Sequence, residues 1–534
     1  MKTKVVVVGG GTSGWMTAAY LKRALPSLES VTVLESASIK TIGVGEATFS
    51  TLKLFFDFLG LHEKDWMPPC NATYKLAIKF VNWTASKGHF YHPFQRLDVV
   101  DGLNAAEWWL KLRRDQPFDR VCFTIPAMCQ AHRSPRFLDG TVFDDRVRDY
   151  FTPDTGVPNK LIAHHVVQYP YGYHFDASLV ARYLQDYAMR HGVHHLVDDL
   201  TAAEKTESGD ISHLLTKQHG RLDGDLFIDC TGFKSMLIGE SLNEPFISFN
   251  DSLPNDRAVA IQVPWDAETH GIRPYTTATP LNAGWAWTIP LFHRNGCGYV
   301  YCSNYASPDE AEAELRSFLG PASTKCSANH IKMRIGRHRN SWVRNCVAIG
   351  LSSGFVEPLE STGILFIQHC IEELVNHFPI GHSVSEEQRM SYNRVIGECI
   401  DGVREFLTIH YCATDRADTP YWRDMKTLRL PPSLAERMSM YFSRLPGKRN
   451  IYQPFHGFEA YSWSVVLLGM NCVPKTYPPA LDHIDTRQAE AMFQDIQIRS
   501  KLLTEKLPSH YDYLKLLRSE EGLADSRDCY PQVA

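Results

Sequence analysis

The segment 355–363 combines two acidic side chains with the expected start of a helix. Glu357 and Glu360 occur within it, and the apolar residues that follow recur with the spacing of one helix face. The first backbone N–H groups of a helix have no partner inside it, so free N–H groups near Ser361, Thr362 and Gly363 predict a site for an anion. A glutamate near a helix start ordinarily stabilises the helix dipole, and the spacing alone makes neither residue catalytic.

Two lysines, Lys75 and Lys79, stand in the segment 74–83, whose residues alternate as they do in a β-strand. The alternation predicts that both side chains lie on one face. Four residues along a strand span about 13 Å, so a single reactive point can be reached by only one of the two. Two solvated or paired lysines are the ordinary alternative.

The elements that must hold such groups begin with a glycine-rich turn near the N-terminus. Residues 5–8 are four valines that predict a buried strand, and Gly9, Gly11 and Gly14 form a G-x-G-x-x-G turn that opens a helix. Glu35 ends the next strand, about twenty residues later. We predict that a dinucleotide pyrophosphate lies on the helix N-terminus and that Glu35 holds the ribose hydroxyls. The turn alone does not distinguish FAD from NAD.

The strands that complete the nucleotide fold are spread along the chain. Residues 226–232 and 346–350 are later apolar strands, and the second is expected to return to the first sheet with another glycine turn. An NAD-dependent dehydrogenase usually keeps its Rossmann unit in one block, so this order favours FAD-binding oxidoreductases of the glutathione-reductase or hydroxylase type. Gly296-Cys-Gly298 has no helix after it, so a separate NAD(P)H domain is not expected.

We therefore expect an α/β (α+β) fold with a Rossmann-like FAD-binding box and a mostly helical second subdomain. Residues 1–84 and 173–370 are assigned to a discontinuous FAD-binding module, in which residues 258–305 form antiparallel strands. Residues 85–172, which are irregular and aromatic, and residues 371–534 are assigned to a largely helical substrate-binding subdomain.

The composition argues against several classes of protein. The 534 residues carry a net charge of −5, which gives no general attraction to nucleic acid or to an anionic membrane. No apolar stretch approaches 18 residues, and the 13 cysteines are scattered without a C-x-x-C pair, as in reduced cytoplasmic proteins. The 23 histidines show no convincing metal-site spacing. We expect a cytoplasmic protein that binds no nucleic acid, membrane or metal.

A short tryptophan motif changes the interpretation of the fold. Alone, Gly284-Trp-Ala-Trp-Thr-Ile-Pro290 would be a core strand with Trp285 and Trp287 on one face. Beside an FAD fold, W-x-W-x-I-P resembles the signature of the flavin-dependent halogenases. The following segments also resemble the tryptophan halogenases, over nearly the whole chain: Gly9-x-Gly-x-x-Gly14, Ile42-Gly-Val-Gly-Glu-Ala-Thr48, Tyr74-Lys-x-x-x-Lys-Phe-x-Asn-Trp83, Trp342-Val-Arg-Asn-Cys-Val347 and Phe355-Val-Glu-Pro-Leu-Glu-Ser-Thr-Gly363. Four others resemble most the tryptophan 5-halogenase branch: Phe49-Ser-Thr51, Tyr91-His-Pro-Phe94, Val99-Val-Asp-Gly102 and Ala106-Glu-Trp-Trp-Leu110.

The resemblance implies FADH2- and O2-dependent chlorination, and also bromination, of free L-tryptophan at indole C5. Hypochlorous acid is expected to reach Lys75, because Cys70-Asn-Ala-Thr-Tyr-Lys75 matches the context of the family's essential lysine and Lys79 does not. Glu360 matches the family's catalytic glutamate, which stabilises the cationic intermediate and accepts the ring proton.

The resemblance also assigns the binding residues. Chloride or bromide is expected at Thr362 and Gly363, and Trp285 and Trp287 are expected to keep the substrate away from the flavin. The positions assigned to FAD are Gly9, Gly11, Thr12, Ser13, Gly14, Glu35, Ala47, Val197, Gly350 and Leu351. The positions assigned to tryptophan are His92, Phe94, Gln168, Phe458, Glu459, Tyr461 and Trp463, with Gln168 and Glu459 at the amino-acid end.

Several alternatives stay open at this stage. The enzyme would need a separate NAD(P)H-dependent flavin reductase as its source of FADH2. A homodimer is one expected assembly of the chain. Halogenation at C6 or C7, or of another indole, is the first alternative, because side-chain poses decide the position. A single-component flavin hydroxylase and a non-enzymatic flavoprotein are the others, and Trp285 and Trp287 argue against the hydroxylase.

Overall fold

The computed structural model describes residues 3–39, 45–144, 169–378, 384–447 and 458–519. These residues form the mixed α/β fold that the sequence predicts, with a parallel sheet, a larger mostly antiparallel sheet and a helical C-terminal part.

The strands are numbered along the chain. They are β1 (Lys4–Val8), β2 (Ser30–Glu35), β3 (Gly45–Ala47), β4 (Thr73–Lys75), β5 (Ala77–Val81), β6 (His89–Pro93), β7 (Val99–Val100), β8 (Leu103–Asn104), β9 (Gly172–Asp176), β10 (His194–Val197), β11 (Leu200–Lys205), β12 (Ile211–Thr216), β13 (Gly220–Asp223), β14 (Leu226–Asp229), β15 (Phe246–Ser248), β16 (Arg257–Pro264), β17 (Tyr275–Leu281), β18 (Gly284–Pro290), β19 (Arg294–Tyr301), β20 (Ala328–Lys332), β21 (Gly336–His338), β22 (Trp342–Val343), β23 (Cys346–Ala348) and β24 (Gly354–Phe355).

The α-helices are numbered in the same way. They are α1 (Thr12–Ala24), α2 (Leu52–Leu59), α3 (Glu63–Trp66), α4 (Ala105–Leu112), α5 (Phe118–Cys122), α6 (Ile125–Gln130), α7 (Ala177–Arg190), α8 (Ala267–His270), α9 (Pro308–Leu319), α10 (Gly363–Asn376), α11 (Glu386–Cys412), α12 (Pro420–Asp424), α13 (Pro432–Tyr441), α14 (Ala460–Gly469), α15 (Arg487–Lys506) and α16 (His510–Arg518).

The first sheet has six strands in the order β10-β2-β1-β14-β23-β22, all parallel except β22. Val5 and Val7 of β1 pack in the same core as α1, while Val6 and Val8 pack against residues of β12. Both faces of the strand are therefore covered, which explains four consecutive valines. The pairing of β14 with β23 confirms that the late strand returns to the first sheet.

The second sheet has seven strands in the order β20-β16-β19-β18-β17-β5-β6. Strands β16 to β19 confirm the antiparallel strands predicted for residues 258–305. Strand β17 pairs in parallel with β5 on one side and antiparallel with β18, the strand of the tryptophan motif, on the other.

The prediction of one continuous strand over residues 74–83 is wrong. Strand β4 ends at Lys75 and belongs to a three-stranded sheet with β3 and β9, whereas β5 begins at Ala77 in the seven-stranded sheet. The N–H group of Leu76 donates to the carbonyl oxygen of Pro274 at 2.7 Å, outside both sheets. The chain therefore changes partners between the two lysines.

The description of residues 85–172 as irregular is also wrong in part. Residues His89–Pro93 form β6, the edge strand of the seven-stranded sheet, and three helices, α4 to α6, follow. Asn82, Lys87 and Gly88 adopt positive φ values in the loop that joins β5 to β6. These turn residues allow the chain to fold back, so the aromatic residues of β6 complete a sheet.

From residue 363 onwards the described chain is mainly helical, as predicted. The longest helix, α11, begins at a capping box in which Ser385 and Gln388 satisfy each other's backbone N–H groups. In the part of the chain that the structure describes, no helix is long and apolar enough to cross a membrane.

Candidate active site

The glycine turn after β1 leaves an open space at one glycine and none at the others. A β-carbon on Gly9 would lie 2.3 Å from the Cys230 carbonyl oxygen. A β-carbon on Gly14 would lie 1.8 Å from the Gly9 carbonyl oxygen. A β-carbon on Gly11 would meet no protein atom within 4 Å. Gly11 is also the N-cap of α1, so its open side faces a helix N-terminus, as a pyrophosphate site requires.

The two hydroxyl side chains of this turn are engaged within the protein. Thr12 donates to the carbonyl oxygen of Ala177 at 3.3 Å, and Ser13 donates to the carbonyl oxygen of Ile349 at 3.0 Å. The hydroxyl hydrogens are therefore used within the protein, and the backbone N–H groups of the first helical turn are the donors left for a ligand.

Glu35 lies at the carboxyl end of β2, at the edge where a nucleotide ribose is expected. Its carboxylate is 2.9 Å from His195 Nε2 and is partly exposed. Val197 ends the neighbouring strand directly beside Glu35, and its side chain is exposed. The predicted adenosine end of the site is therefore an open sheet edge.

Two further predicted cofactor residues lie in the short 3-10 turn after β23. Gly350 has a φ of +75°, and a β-carbon there would lie 2.7 Å from Ser13 Oγ. Gly350 and Leu351 thus bring a second turn against the first helix. Ala47 is buried in β3, opposite His174 of β9. The glycines, the open side of Gly11 and the second turn fit a bound dinucleotide.

Lys75 is completely buried and makes two hydrogen bonds. Its ammonium nitrogen donates to the Ser361 hydroxyl oxygen at 2.9 Å and to the Thr48 carbonyl oxygen at 3.1 Å. The same nitrogen lies 5.0 Å from the centre of the Phe94 ring. Burial lowers the pKa of Lys75 to about 7, although the nearby Glu360 carboxylate raises it.

Lys79 lies on the other side of the seven-stranded sheet, so the prediction that both lysines share a face is wrong. Within β5 and β6, Ile78 pairs with His92, and Lys79 pairs with Tyr91. Since neighbouring residues of a strand point to opposite faces, Lys79 and His92 are on different sides. The Lys79 nitrogen lies 5.4 Å from the Tyr91 ring and 5.6 Å from the Tyr275 ring.

Glu360 is a buried carboxylate held between two imidazoles. His92 Nδ1 lies 3.0 Å from both carboxylate oxygens, and His410 Nε2 lies 2.9 Å from one of them. Burial raises the pKa of Glu360, but attraction to His92 and the hydrogen bonds from both histidines outweigh it and lower the pKa to about 2. The Glu360 carboxylate therefore remains ionised beside Lys75.

The turn between Glu360 and α10 differs in one detail from the prediction. The N–H group of Ser361 donates to the Pro358 carbonyl oxygen at 3.1 Å, because residues 358–360 form a 3-10 turn, and it is not free for an anion. Ser361 has a φ of +63°, a left-handed conformation that costs energy in a residue with a side chain. This conformation holds its hydroxyl against Lys75.

Thr362 and Gly363 form a polar recess at the N-terminus of α10. The Thr362 hydroxyl is fully buried and has no hydrogen-bond partner among the described residues. A β-carbon on Gly363 would meet no atom within 4 Å. A helix of 14 residues therefore presents its positive end to a space lined by an unpartnered hydroxyl, which fits a small anion.

The two tryptophans of the motif are buried on one face of β18, with ring centres 6.2 Å apart. Trp285 Nε1 donates to Glu357 Oε2 at 3.4 Å, and Asn255 donates to the same oxygen at 2.7 Å. Glu357 therefore holds the Trp285 ring, and it does not join the contacts of Glu360.

An aromatic cluster, made of Phe49, Phe94, Phe406 and Phe458, lies beside Lys75 and Glu360. Phe49 is 5.4 Å from Phe94 and 5.5 Å from Phe458, measured between ring centres, and both contacts are edge-on. Phe458 stacks on Phe406 at 3.9 Å. His92 lies 6.1 Å from Phe458, so the cluster joins three of the predicted substrate positions, His92, Phe94 and Phe458.

The other predicted substrate residues are less central. Tyr461 lies 6.3 Å from His92, whereas Trp463 lies behind Phe406 at 5.2 Å, because two residues along α14 turn the side chain to another face. Glu459 is half-exposed and forms an ion pair with Arg96, whose Nε lies 3.0 Å from its carboxylate. Gln168 lies outside the described residues.

The sequence did not single out five residues of this site. Thr48 and Ser361 bind Lys75, His410 binds Glu360, and Phe49 and Phe406 complete the aromatic cluster. Thr48, Phe49 and Ser361 lie within recognised segments but are assigned no side-chain role there, and His410 and Phe406 lie in a long helix without a motif. Across the described ranges, no group of three or more His, Cys, Asp or Glu side chains is arranged to hold a metal ion.

Comparison with known proteins identifies related sequences over almost the whole chain. The family model described as Tryptophan halogenase matches residues 4–486. The tryptophan 6-halogenase SttH of Streptomyces toxytricini is 49% identical over 512 residues, which cover 96% of this chain and 97% of SttH. The 7-chloro-L-tryptophan 6-halogenase KtzR of Kutzneria sp. (strain 744) is 50% identical over 516 residues, which cover 96% of this chain and 99% of KtzR.

The fold is shared with solved structures as well. Tar14, a tryptophan C-6 flavin-dependent halogenase (chlorinase) from taromycin biosynthesis, has a TM-score of 0.92 and 49% identity, covering 97% of this chain and 100% of Tar14. All three relatives are 6-halogenases by name, so they do not support the predicted 5-halogenase branch and favour the C6 alternative. The short segments behind the C5 prediction do not determine how an indole lies in the site.

Proposed function

Because the chain belongs to the tryptophan halogenase family, we propose that this flavin-dependent tryptophan halogenase chlorinates free L-tryptophan at indole C6. The observation that carries the chemistry is the contact of the buried Lys75 nitrogen with the Ser361 hydroxyl at 2.9 Å. That contact ties the reactive amine to the turn that holds Glu360 and begins α10. One compartment then contains an amine, a carboxylate and an anion recess.

The residues proposed to hold FAD are those of the two turns and of the adjoining sheet edge. Gly9, Gly11 and Gly14 allow the pyrophosphate to approach the N-terminus of α1, and Glu35 faces the ribose. When bound in its reduced form, FAD supplies with O2 the two-electron oxidation that converts a halide into hypohalous acid. Trp285, held by Glu357, and Trp287 are proposed to separate the substrate from the flavin.

The halide, chloride or bromide, is proposed to lie at Thr362 and Gly363. The buried hydroxyl of Thr362 has no hydrogen-bond partner among the described residues, and the first N–H groups of α10 have no partner inside the helix. Donors of this kind stabilise an anion in an otherwise dry site.

Lys75 is proposed to accept the halogen. A lysine with a pKa of about 7 is largely a neutral amine at pH 8, and the amine is the nucleophilic form. Its nitrogen attacks the chlorine of hypochlorous acid, an N–Cl bond forms, and the O–Cl bond breaks with loss of one water molecule. The chlorine then passes to one indole carbon, and the lysine nitrogen regains a proton.

Glu360 is proposed to act on the ring. Its carboxylate stabilises the positive charge that develops on the indole and accepts the proton that leaves the chlorinated carbon. Because Glu360 is fixed by two imidazoles, it does not move towards the nearby Lys75.

The position of chlorination depends on how the indole is held relative to Lys75. The aromatic cluster and His92 are the proposed walls of that site, because indole binds best between rings and a few polar groups. The assignment to C6 is supported by the names of SttH, KtzR and Tar14.

A second candidate substrate is 7-chloro-L-tryptophan. The name of KtzR, which is 50% identical to this chain, states that substrate, whereas the name of SttH states tryptophan alone. Free tryptophan remains the main proposal, since two of the three relatives are described by it.

The reduced flavin is proposed to come from a separate reductase. The sequence has a single G-x-G-x-x-G turn followed by a helix, so the chain offers no second dinucleotide site for NAD(P)H. FADH2 would diffuse from the reductase to this enzyme.

The test of this function is a competition assay with the full chain, a flavin reductase, FAD, chloride and O2. Equal amounts of L-tryptophan and 7-chloro-L-tryptophan are supplied, and products are separated by liquid chromatography and mass spectrometry. We expect 6-chlorotryptophan, which chromatography separates from the supplied 7-chloro isomer, to form first and only with chloride. Preferential formation of dichlorotryptophan would favour the second substrate. A product that gains oxygen without chloride would identify a hydroxylase and contradict the proposal.

A further inference from the structure

His410 contacts an oxygen atom through each of its two ring nitrogens. His410 Nδ1 lies 3.0 Å from the Phe406 carbonyl oxygen, and His410 Nε2 lies 2.9 Å from Glu360 Oε1. Resting on the proposed function, we infer that His410 is an imidazolium and a positioning residue that keeps Glu360 ionised for its role on the indole ring.

Each of the two His410 contacts requires a hydrogen-bond donor. A carbonyl oxygen only accepts hydrogen bonds, so His410 Nδ1 must carry a proton to make its contact with Phe406. An ionised carboxylate also only accepts, so Nε2 must carry a second proton. The alternative is a neutral imidazole that accepts from a protonated Glu360.

The surroundings of Glu360 favour the proton on His410. His92 Nδ1 contacts both oxygens of Glu360 at 3.0 Å, and a carboxylate can accept this additional bond together with the bond from His410. The other carboxyl group near His410, Glu357, is occupied by Asn255 and Trp285.

The remaining neighbours of His410 are aromatic rings. The centres of Phe80, Phe406 and Trp83 lie 5.3, 5.2 and 6.2 Å from its ring. Such surroundings exclude water, and a buried cation is stable there only through its paired anion. His410 and Glu360 therefore hold each other in their charged forms.

A second buried histidine in the same chain shows the opposite arrangement. His510 Nδ1 also lies near a carbonyl oxygen, that of Ile272 at 3.1 Å, but its Nε2 accepts from the N–H group of Tyr74 at 3.1 Å. This pattern requires a neutral ring, and burial lowers the pKa of His510 to about 3. His510 is thus an internal control for a neutral tautomer.

The first experiment measures protonation without turnover. The full chain, loaded with FAD and labelled with 15N only at histidine, is studied by NMR at pH 7.5, and His410→Gln assigns the signals. We expect both His410 nitrogens to carry protons and only Nδ1 of His510 to do so. A neutral His410 with one unprotonated nitrogen would overturn the inference, whatever the enzyme's activity.

The second experiment measures the consequence for halogenation. In His410→Gln, we expect kcat for chlorotryptophan to fall about tenfold or more, with KM for tryptophan changed by less than about twofold. An unchanged kcat would contradict the role of His410. A wild-type enzyme that makes no chlorotryptophan would remove the proposed function but leave the NMR result intact.

Discussion

The Lys75 nitrogen lies 2.9 Å from the hydroxyl oxygen of Ser361, the residue that directly follows Glu360. A strained left-handed backbone at Ser361 makes this contact, and the same turn begins α10 at Thr362 and Gly363. The amine, the carboxylate and the anion recess are therefore fixed by one short turn. This arrangement leads to specific predictions.

Lys75→Ala should lower tryptophan chlorination by about 10²- to 10⁴-fold, because no other described amine faces Glu360. Lys79→Ala is the matched control, since Lys79 lies on the opposite face of the sheet, between the Tyr91 and Tyr275 rings. Its activity should stay within about twofold of the wild type, as expected for a residue outside the site. Equal losses in both variants, measured as product per minute at saturating substrate, would reject the assignment of Lys75.

Lys75→Met should stabilise the folded protein below pH 7. Burial lowers the pKa of Lys75 from 10.5 to about 7, so the folded state binds fewer protons than the unfolded state between these values. The free energy of unfolding of the wild type therefore rises with pH across that window, and the cost of the buried ammonium is complete below it. Melting temperatures at pH 6 and pH 10 should show an advantage of Lys75→Met that shrinks with pH. A constant difference would contradict the lowered pKa.

Gly11→Ala should fold normally but bind FAD at least about tenfold more weakly. The added methyl group meets no protein atom within 4 Å, so it obstructs only a ligand at the start of α1. Gly14→Ala is the contrast, because its methyl group would lie 1.8 Å from the Gly9 carbonyl oxygen and destabilise the turn itself. FAD titration and thermal unfolding measure the two effects. Normal FAD affinity in Gly11→Ala would show that the cofactor lies elsewhere.

Thr362→Val should raise KM for chloride about tenfold without lowering thermal stability. The Thr362 hydroxyl is buried and unpartnered in the described chain, so its removal costs the folded protein nothing. A hydrogen bond to a charged group contributes about 1.5 kcal/mol, which corresponds to the expected change in KM. Lower stability with an unchanged KM would mean that the hydroxyl serves the fold and not the halide.

Much of the fold could be predicted from the sequence where the pattern is local. The glycine turn, the late strand β23 and the helical run of α10 each carry a periodic or conformational signal, and each is present in the structure. The continuous strand over residues 74–83 could not be corrected in this way. The chain passes from one sheet to another at Leu76. The alternation of side chains does not indicate which strand will lie beside a given segment.

The candidate site was predictable only as far as its motifs extend. Lys75, Glu360 and Thr362 stand in recognisable segments, whereas His410 reaches Glu360 from α11, 50 residues further along the chain. Such a contact depends on how helices pack, and no spacing in one sequence reports it. The C5 prediction was limited in the same way, because side-chain poses around the indole decide the position.

The most direct test of the central claim is the NMR spectrum of the product made from L-tryptophan, reduced FAD, O2 and chloride. We predict a single monochlorinated tryptophan in which the ring proton at C6 is absent and those at C4, C5 and C7 remain. Chlorination at C5 or C7 would contradict the proposed position. An unhalogenated product would contradict the proposed function as a whole.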